Sequence, residues 1–322
     1  MTSALDQRPE RIMVIGGRGF VGAAVTRKLI ASGRRPHLFG PPMADDLLDD
    51  CAGGFDESHG SVEDRDTMAR AIVASGAQAL ITTAAHSAGR AGLMRSSDAE
   101  SDRALAINVL GFRNTLEAAR EAGIKRVVWT SSTVVYGNAG DYGDTPVDEN
   151  APRAPLTFYG LTKQLAEDIT AHMRHCHGQD IVGLRLPLVL GPGLWYQGAA
   201  SAIAALIRAA GKGPPHRAAF HDAVMDLMHV DDVATALLAV LDRAGTAEPV
   251  YNINGFRARL SDIVAALKQR FPASDIGIDP EPPALSFPLI DDGRFRKRFG
   301  FTPEHSLDDV IDAMLPKETA NV

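Results

Sequence analysis

The sequence predicts an α/β fold in which a doubly wound parallel sheet is joined to a smaller, discontinuous C-terminal lobe. From Arg11 onward, short apolar segments alternate with amphipathic ones, which is the pattern of strands and their covering helices. A glycine-rich turn links the first strand directly to the first helix. After Pro187 the alternation gives way to a loop rich in glycine and aromatic residues. These observations separate a regular sheet domain from a second, less regular lobe.

Local patterns place each element in turn. Apolar runs predict strands at 11–15, 35–39, near 55, 78–83, 125–131 and 180–186. Apolar residues at three- and four-residue spacing predict helices at 20–32, 64–75, 98–122 and 158–177, of which the third is the clearest. A helix is also expected at 200–210, and the segments 224–240 and 250–255 resemble sheet elements again. We therefore assign residues 1–186 plus about 224–255 to the first domain, and about 187–223 plus 256–322 to the second lobe.

Composition and charge exclude several classes of protein. The chain of 322 residues is 45% hydrophobic and 23% charged, as expected for a globular protein. Its 33 basic and 40 acidic side chains leave a net charge of -7, which disfavours nucleic acid as a partner. No stretch reaches the roughly 18 apolar residues of a membrane span, and the N-terminal residues show no apolar signal core. We expect a cytoplasmic protein with no membrane partner, no disulfide scaffold and no metal site.

The glycine-rich turn indicates a dinucleotide-binding (Rossmann) domain. Gly16 would form the tight turn, Gly19 would let phosphates approach, and Gly22 would let the helix pack on the strand. The backbone amides of Phe20 and Val21, at the start of the helix, would then face a pyrophosphate. A turn that only links strand to helix is the alternative, and the strand-turn-helix context favours the cofactor site.

A tyrosine and a lysine four residues apart indicate proton-transfer chemistry. Tyr159 and Lys163 would share one helix face, within reach of a single ligand. A phenol with a reference pKa of about 10 is a poor base at neutral pH, and a nearby ammonium favours the phenolate. We therefore expect Lys163 to lower the pKa of Tyr159. A surface tyrosine stacked over a lysine is the alternative.

Together these motifs resemble the extended short-chain dehydrogenase/reductase family, also described as NAD-dependent epimerase/dehydratase-like. The resemblance is carried by the glycine turn, by Asn108 in NVLGFRNTLEAAR, by TSSTVVYG at 130–137, by YGLTK at 159–163, by HVDDVA at 229–234 and by NING at 252–255. It implies that Ser132 hydrogen-bonds the reacting oxygen and that Tyr159 is the acid or base. It also implies that Lys163 binds the ribose and adjusts the pKa of Tyr159, and that Asn108 supports the site. The family resemblance further implies a homodimer.

One departure from the family concerns the cofactor. Gly40 stands where an acidic residue commonly binds the ribose of NAD, and Arg18 in the turn offers a positive partner for a 2'-phosphate. We therefore expect NADP, with NAD as the alternative, although Arg18 could equally be a solvated surface charge. Asp64 is a candidate contact to the adenine. Further cofactor contacts are expected from Ala84, Ala85 and Pro187.

A second departure concerns the substrate. Leu188 and Met225 occupy positions at which family members that act on nucleotide sugars carry polar side chains that bind the nucleotide sugar. We therefore expect a small non-nucleotide alcohol or carbonyl compound, such as a sugar, a sugar acid or a lactone. Candidate substrate contacts are His86, Thr133, Trp195, Tyr196 and Met225. The predicted function is an NAD(P)-dependent oxidoreductase; the alternatives are an epimerase that forms a transient keto intermediate, and a non-catalytic NADP-sensing protein.

Overall fold

The computed structural model describes residues 8–43, 47–212, 214–243, 247–283 and 285–315. The termini of the two expected domains, residues 1–7 and 316–322, lie outside the described residues. Within the described part, seven strands form the central sheet: β1 (Ile12–Ile15), β2 (His37–Gly40), β3 (Asp56–His59), β4 (Ala79–Thr82), β5 (Arg126–Ser132), β6 (Asp180–Leu186) and β10 (Val250–Asn252).

All neighbouring strands of this sheet are parallel, and their order is β10-β6-β5-β4-β1-β2-β3. The chain leaves β1 toward one edge through β2 and β3, and then returns to build the other edge from β4. The direction therefore reverses between β1 and β4. Open parallel sheets bind ligands at such a switch point, beyond the carboxyl ends of the strands.

Helices cover both faces of the sheet. They are α1 (Phe20–Ala31) and α8 (Val230–Leu241) on one face, and α2 (Arg65–Ser75), α5 (Phe112–Glu121) and α6 (Phe158–His177) on the other. Strand β1 shows why both faces are apolar: Ile12 and Val14 pack into the core with α1 and α8, whereas Met13 and Ile15 pack into the core with α2, α5 and α6. Alternate side chains of a strand point to opposite faces, so a strand covered on both sides is apolar throughout.

The second lobe has its own sheets and core. Strands β7 (Leu188–Leu190), β9 (Met225–His229) and β11 (Phe256–Ala258) form one sheet, and β8 (His216–Phe220) pairs with β12 (Ile276–Pro280). One apolar core joins them to the helices α7 (Ala199–Lys212), α9 (Leu260–Arg270) and α11 (Leu307–Met314). The helix α10 (Gly293–Phe299) instead packs its Phe295 into the core of the first domain.

The structure confirms the predicted doubly wound parallel sheet, and it differs from the sequence prediction in three places. Within the segment 224–240, which was expected to form sheet elements, residues Val230–Leu241 form the helix α8. Strand β9 pairs with β7 and β11 rather than joining the central sheet, so the segment near 224–229 belongs to the sheet of the second lobe. The single helix predicted at 98–122 is divided into α3 (Leu93–Ala99), α4 (Ser101–Leu105), a π-helical turn (Ala106–Gly111) and α5. Glu100, with φ -128° and ψ 60°, breaks the helix. No helix among the described residues is long and apolar enough to cross a membrane.

Candidate active site

The glycine turn connects β1 to α1 at the switch point. Gly16 has a φ of +80°, a conformation that favours glycine, and its amide donates to the carbonyl of Phe39 at 2.8 Å. A Cβ atom built on Gly22 would overlap the carbonyl oxygen of Gly16, so only glycine lets α1 pack this closely on the turn. The first bond of the helix runs from the amide of Ala23 to the carbonyl of Gly19. The amides of residues 20–22 therefore precede the helical ladder and are oriented to bind an anion.

These features fit the pyrophosphate of a dinucleotide. Gly19, Phe20 and Val21 lie where the sequence predicted them, with Phe20 buried and Val21 half-buried. Ala84, two residues after the end of β4, packs against the turn, since a Cβ on Gly16 would lie 3.0 Å from its amide nitrogen. Ala85 follows it at the same edge of the sheet, and Pro187 is buried where β6 passes into β7.

The end of β5 and the start of α6 bring the proposed proton-transfer residues together. Thr157 caps α6 by accepting a hydrogen bond from the amide of Gly160 at 3.0 Å, which fixes the first turn that carries Tyr159. The Nζ of Lys163 donates to the carbonyl of Thr130 at 2.8 Å and lies 5.5 Å from the ring centre of Tyr159. Ser132, the last residue of β5, is half-buried beside them.

Burial, rather than the lysine, governs the proton affinities of these groups. Tyr159 is only 7% exposed, and this burial, together with the neighbouring phenol of Tyr196, raises the pKa of Tyr159. Burial lowers the pKa of Lys163 to about 8, which the carboxylate of Glu167 partly opposes. The expectation that Lys163 would lower the pKa of Tyr159 is not met in this environment, because desolvation of the phenolate dominates and raises that pKa. The phenol of Tyr159 is thus held in its protonated form at neutral pH.

Asn108 holds two parts of the site together from the π-helical turn. Its Oδ1 accepts a hydrogen bond from the amide of His86 at 2.7 Å, and its Nδ2 donates to the hydroxyl of Thr162 at 3.1 Å. It therefore ties the loop after β4 to the helix that carries Tyr159, which makes it a positioning residue. The ring of His86 is buried and lies 3.2 Å from the carboxylate of Glu100. Irregular π turns of this kind often occur at functional sites.

A buried polar network that the sequence did not reveal lies beneath these residues. Arg185 on β6 donates to both carboxylate oxygens of Glu167, at 2.8 and 2.7 Å, and to the hydroxyl of Tyr136 at 2.6 Å. Ser131 donates to the same carboxylate at 2.7 Å. Glu167 lies one helical turn beyond Lys163, so the network connects β5, β6 and α6 directly below the site. Its four residues come from three segments that are distant in the sequence, which is why periodicity could not indicate the network.

The loop after β7 covers the start of α1. The ring of Tyr196 meets that of Phe20 edge-on at 6.1 Å and that of Trp195 at 5.8 Å. The amide of Gln197 donates to the carbonyl of Arg90 at 2.7 Å, which fixes this loop against the loop after β4. Burial raises the pKa of Tyr196 to about 12. The two aromatic candidates therefore lie at the site.

The other two substrate candidates differ in their surroundings. Thr133 opens the short 3-10 turn after β5 and is half-buried beside Ser132. Met225 packs with Leu188 on the core of the second lobe, and neither offers a polar group.

Two residues predicted to contact the cofactor have protein partners in the structure. Asp64 caps α2: its Oδ1 accepts from the amide of Thr67 at 3.0 Å and its Oδ2 from the Thr67 hydroxyl at 2.6 Å. We therefore replace its predicted role as an adenine contact by that of a helix cap. Arg18 forms a two-pronged ion pair with Glu57 on β3, a residue that the sequence analysis did not select.

A possible metal group occurs in the described residues where none was predicted. Side-chain ligand atoms of His229, Asp231 and His305 lie within 4.8 Å of one another. The two imidazole rings, however, are stacked at 4.1 Å, and Nδ1 of His305 is 2.9 Å from the carboxylate of Asp232. The Nδ1 of His229 accepts the amide of Asp231 at 3.1 Å and so caps α8. These contacts make His229 the cap of α8 and His305 a partner of Asp232.

Comparisons with known proteins agree with this geometry. Residues 12–254 match the model of the NAD dependent epimerase/dehydratase family, and the chain belongs to this family. The UDP-glucose 4-epimerase of Mycolicibacterium smegmatis is 28% identical over 317 residues, which cover 94% of this chain and 96% of that protein. The uronate dehydrogenase of Pseudomonas putida is 34% identical over 79 residues, or 24% of this chain and 29% of that protein.

Among solved structures, the UDP-glucose 4-epimerase of Thermus thermophilus in complex with NAD has a TM-score of 0.81. It is 22% identical, with 94% of this chain and 98% of that chain covered. The resemblance found in the sequence is thus confirmed at the level of family and fold. Family membership supports an enzyme that uses a nicotinamide cofactor.

Proposed function

We propose that this protein is an NAD(P)-dependent oxidoreductase that interconverts an alcohol and a carbonyl group on a small non-nucleotide substrate. The observation that carries the proposal is the convergence of Ser132, Tyr159 and Lys163 at the carboxyl edge of the sheet, next to the glycine turn. A binding protein would need the turn alone. The three proton-transfer residues are therefore the reason to favour an enzyme over the alternative of a non-catalytic NADP-sensing protein.

The mechanism follows from the chemistry of these side chains. A bound nicotinamide would supply or accept the hydride at the reacting carbon. In the direction of reduction, the phenol of Tyr159 would give its proton to the carbonyl oxygen and become a phenolate; in oxidation, that phenolate would take the proton of the alcohol. Ser132 would hold that oxygen by a hydrogen bond, and Lys163 would bind the ribose hydroxyls. Because burial keeps Tyr159 protonated, the geometry supports its role as an acid in carbonyl reduction.

The substrate is proposed to be a sugar, a sugar acid or a lactone. Leu188 and Met225 present apolar side chains that pack on the core of the second lobe, so they provide no charge for a pyrophosphate. His86, Thr133, Trp195 and Tyr196 would contact the substrate. The local similarity to a uronate dehydrogenase is consistent with a sugar acid.

Epimerisation through a transient keto intermediate is the second candidate, because a relative that matches almost the whole chain is a UDP-glucose 4-epimerase. The two functions differ in a measurable way. A dehydrogenase changes the nicotinamide absorbance with each turnover, whereas an epimerase restores its cofactor and changes only the configuration of the product. The test is a screen of alcohols, aldoses, sugar acids and ketones with NAD and NADP. The absorbance of the nicotinamide is followed first. Compounds that cause no change in this absorbance are then analysed for the formation of epimers.

The binding of a nicotinamide dinucleotide is expected to weaken as the pH rises above about 8. The lowered pKa of Lys163 means that its ammonium is present below about pH 8 and is lost above it. A charged hydrogen-bond donor to the ribose disappears with it. Dissociation constants measured from pH 6.5 to 9.5 should show this fall in the wild type. The variant Lys163→Met should bind more weakly at pH 7 and show a flatter profile.

The matched control for this experiment is Lys268→Met, an exposed lysine on α9. It should reproduce the profile of the wild type. An affinity that is constant over this range in the wild type would show that the ammonium of Lys163 makes no contact with the cofactor.

We also propose a homodimer formed through the face of α5 and α6. Leu110, Leu156 and Leu161 expose 52%, 45% and 38% of their surface on or beside these helices, whereas Phe112 and Leu116 face the protein's own sheet. Apolar side chains grouped on one face indicate an interface.

Light scattering at micromolar concentration should give twice the mass of the chain. Leu161→Glu should shift the mass toward the monomer, and Val73→Glu, at a 69% exposed position on α2, should not. A monomeric wild type would contradict the proposal.

A further inference from the structure

A surface pocket beside the glycine turn is lined by residues of three segments that end at the same edge of the sheet. Gly17 and Arg18 come from the turn, Gly40 from the end of β2, and Glu57 and His59 from β3. In a doubly wound sheet the residues at the end of β2 contact the ribose that carries the adenine. If the chain binds a dinucleotide, as proposed above, this pocket is where the 2'-hydroxyl of NAD or the 2'-phosphate of NADP would lie.

Arg18 is held in this pocket by a carboxylate. Its Nε is 2.9 Å from Oε2 of Glu57 and its Nη2 is 3.1 Å from Oε1, which is the geometry of a two-pronged pair. The two side chains are only 20% and 33% exposed, and the guanidinium also lies over the ring of Phe55 at 5.4 Å. The pair is electrically neutral. Arg18 therefore adds no net positive charge to the pocket.

The other arginines near β2 are paired as well. Arg34 donates to Asp242 at 2.6 Å, and Arg35 donates to Asp56 at 2.7 Å. Arg18, Arg34 and Arg35 thus each have a carboxylate partner among the described residues. A 2'-phosphate, with a charge of about -1.5 to -2 by analogy with other phosphomonoesters, would therefore meet guanidinium groups whose charge is already balanced by a carboxylate.

We propose that Glu57 supplies from β3 the carboxylate that β2 lacks at Gly40, and that it thereby makes this protein select NAD over NADP. Each carboxylate oxygen has two acceptor positions, so Glu57 can hold Arg18 and still accept a hydrogen bond from a ribose hydroxyl. A 2'-phosphate would meet the acceptor oxygens of this carboxylate instead of hydrogen-bond donors, and it would gain no net positive charge from the paired Arg18. The pairing of Arg18 thus reverses the preference for NADP that the sequence suggested, because that preference assumed a guanidinium available to the phosphate.

The proposal is tested by calorimetric titration of NAD and NADP into the wild type and into Glu57→Gln. Asp56→Asn is the matched control, because Asp56 is the neighbouring carboxylate on β3 and is likewise paired with an arginine, but it does not line the pocket. The wild type should bind NAD at least tenfold more tightly than NADP. Glu57→Gln should bind NADP at least tenfold better than the wild type does, and NAD less well. Asp56→Asn should leave the ratio of the two constants within twofold of the wild type.

A double variant identifies the source of this gain. In Glu57→Gln the released guanidinium of Arg18 would bind the phosphate, so Arg18→Ala placed in the same chain should remove the gain in NADP affinity. A wild type that prefers NADP, or a ratio that does not respond to Glu57→Gln, would overturn the role of Glu57 while leaving the oxidoreductase proposal intact. A folded wild type that binds neither dinucleotide would instead overturn the proposed function itself.

Discussion

Replacing Tyr159 with Phe is expected to lower turnover by roughly a hundredfold or more, which is the usual effect of losing a positioned acid or base. The substitution removes one hydroxyl and keeps the buried ring, so the packing of α6 against β5 should persist. The Nζ of Lys163, which donates to the carbonyl of Thr130, keeps its bond. Affinity for the nicotinamide dinucleotide should therefore change little. The measurements are kcat on the best substrate of the screen and the dissociation constant of the dinucleotide.

The chain offers a matched control for this experiment. Tyr251 on β10 is also buried, and its hydroxyl accepts the amide of Glu248 at 2.9 Å, away from the proposed site. Tyr251→Phe removes the same hydroxyl from a comparable environment and should leave kcat within about twofold. Turnover of Tyr159→Phe equal to that of the wild type at saturating substrate would disprove the proton-transfer role. Turnover lost equally in both variants would point to a general loss of folding.

Replacing Arg185 with Met is expected to lower the free energy of unfolding by about 3 to 5 kcal/mol, because it leaves a buried charge without its main partner. The side chains of Arg185 and Glu167 are only 2% and 5% exposed. Glu167 would retain the hydrogen bond from Ser131 and one contact with Arg153, at 3.2 Å. These two contacts are insufficient to replace the two short hydrogen bonds from Arg185. Chemical denaturation followed by circular dichroism measures the loss.

Arg217→Met is the control for the stability experiment. Arg217 forms an ion pair of similar length with Asp279, at 2.8 Å, but both side chains are more than half exposed. Exposed ion pairs contribute about 0 to 1 kcal/mol to the free energy of unfolding, so the free energy of unfolding of this variant should be close to that of the wild type. Equal losses from the two substitutions would mean that burial of the Arg185 pair adds nothing to stability.

The sequence by itself determined the elements whose signals are local. The strand predicted at 180–186 and the helix predicted at 158–177 have the same bounds in the structure. The glycine turn was predicted in full, because its three glycines lie within seven residues and each answers a requirement of the backbone. Ser132, Tyr159 and Lys163 were predicted in the same way, since they belong to short motifs with fixed spacing, and their roles stay predictions.

Only the tertiary structure decided the features that depend on residues distant in the sequence. The break at Glu100 was hidden because no glycine or proline marks it in the sequence. The pairing of Arg18 with Glu57 joins residues 39 positions apart, and nothing in either segment predicts it. The pKa of Tyr159 differed from expectation for the same reason: spacing places Tyr159 and Lys163 on one face of a helix, whereas the burial that raises the pKa of Tyr159 is produced by all the elements packed around it.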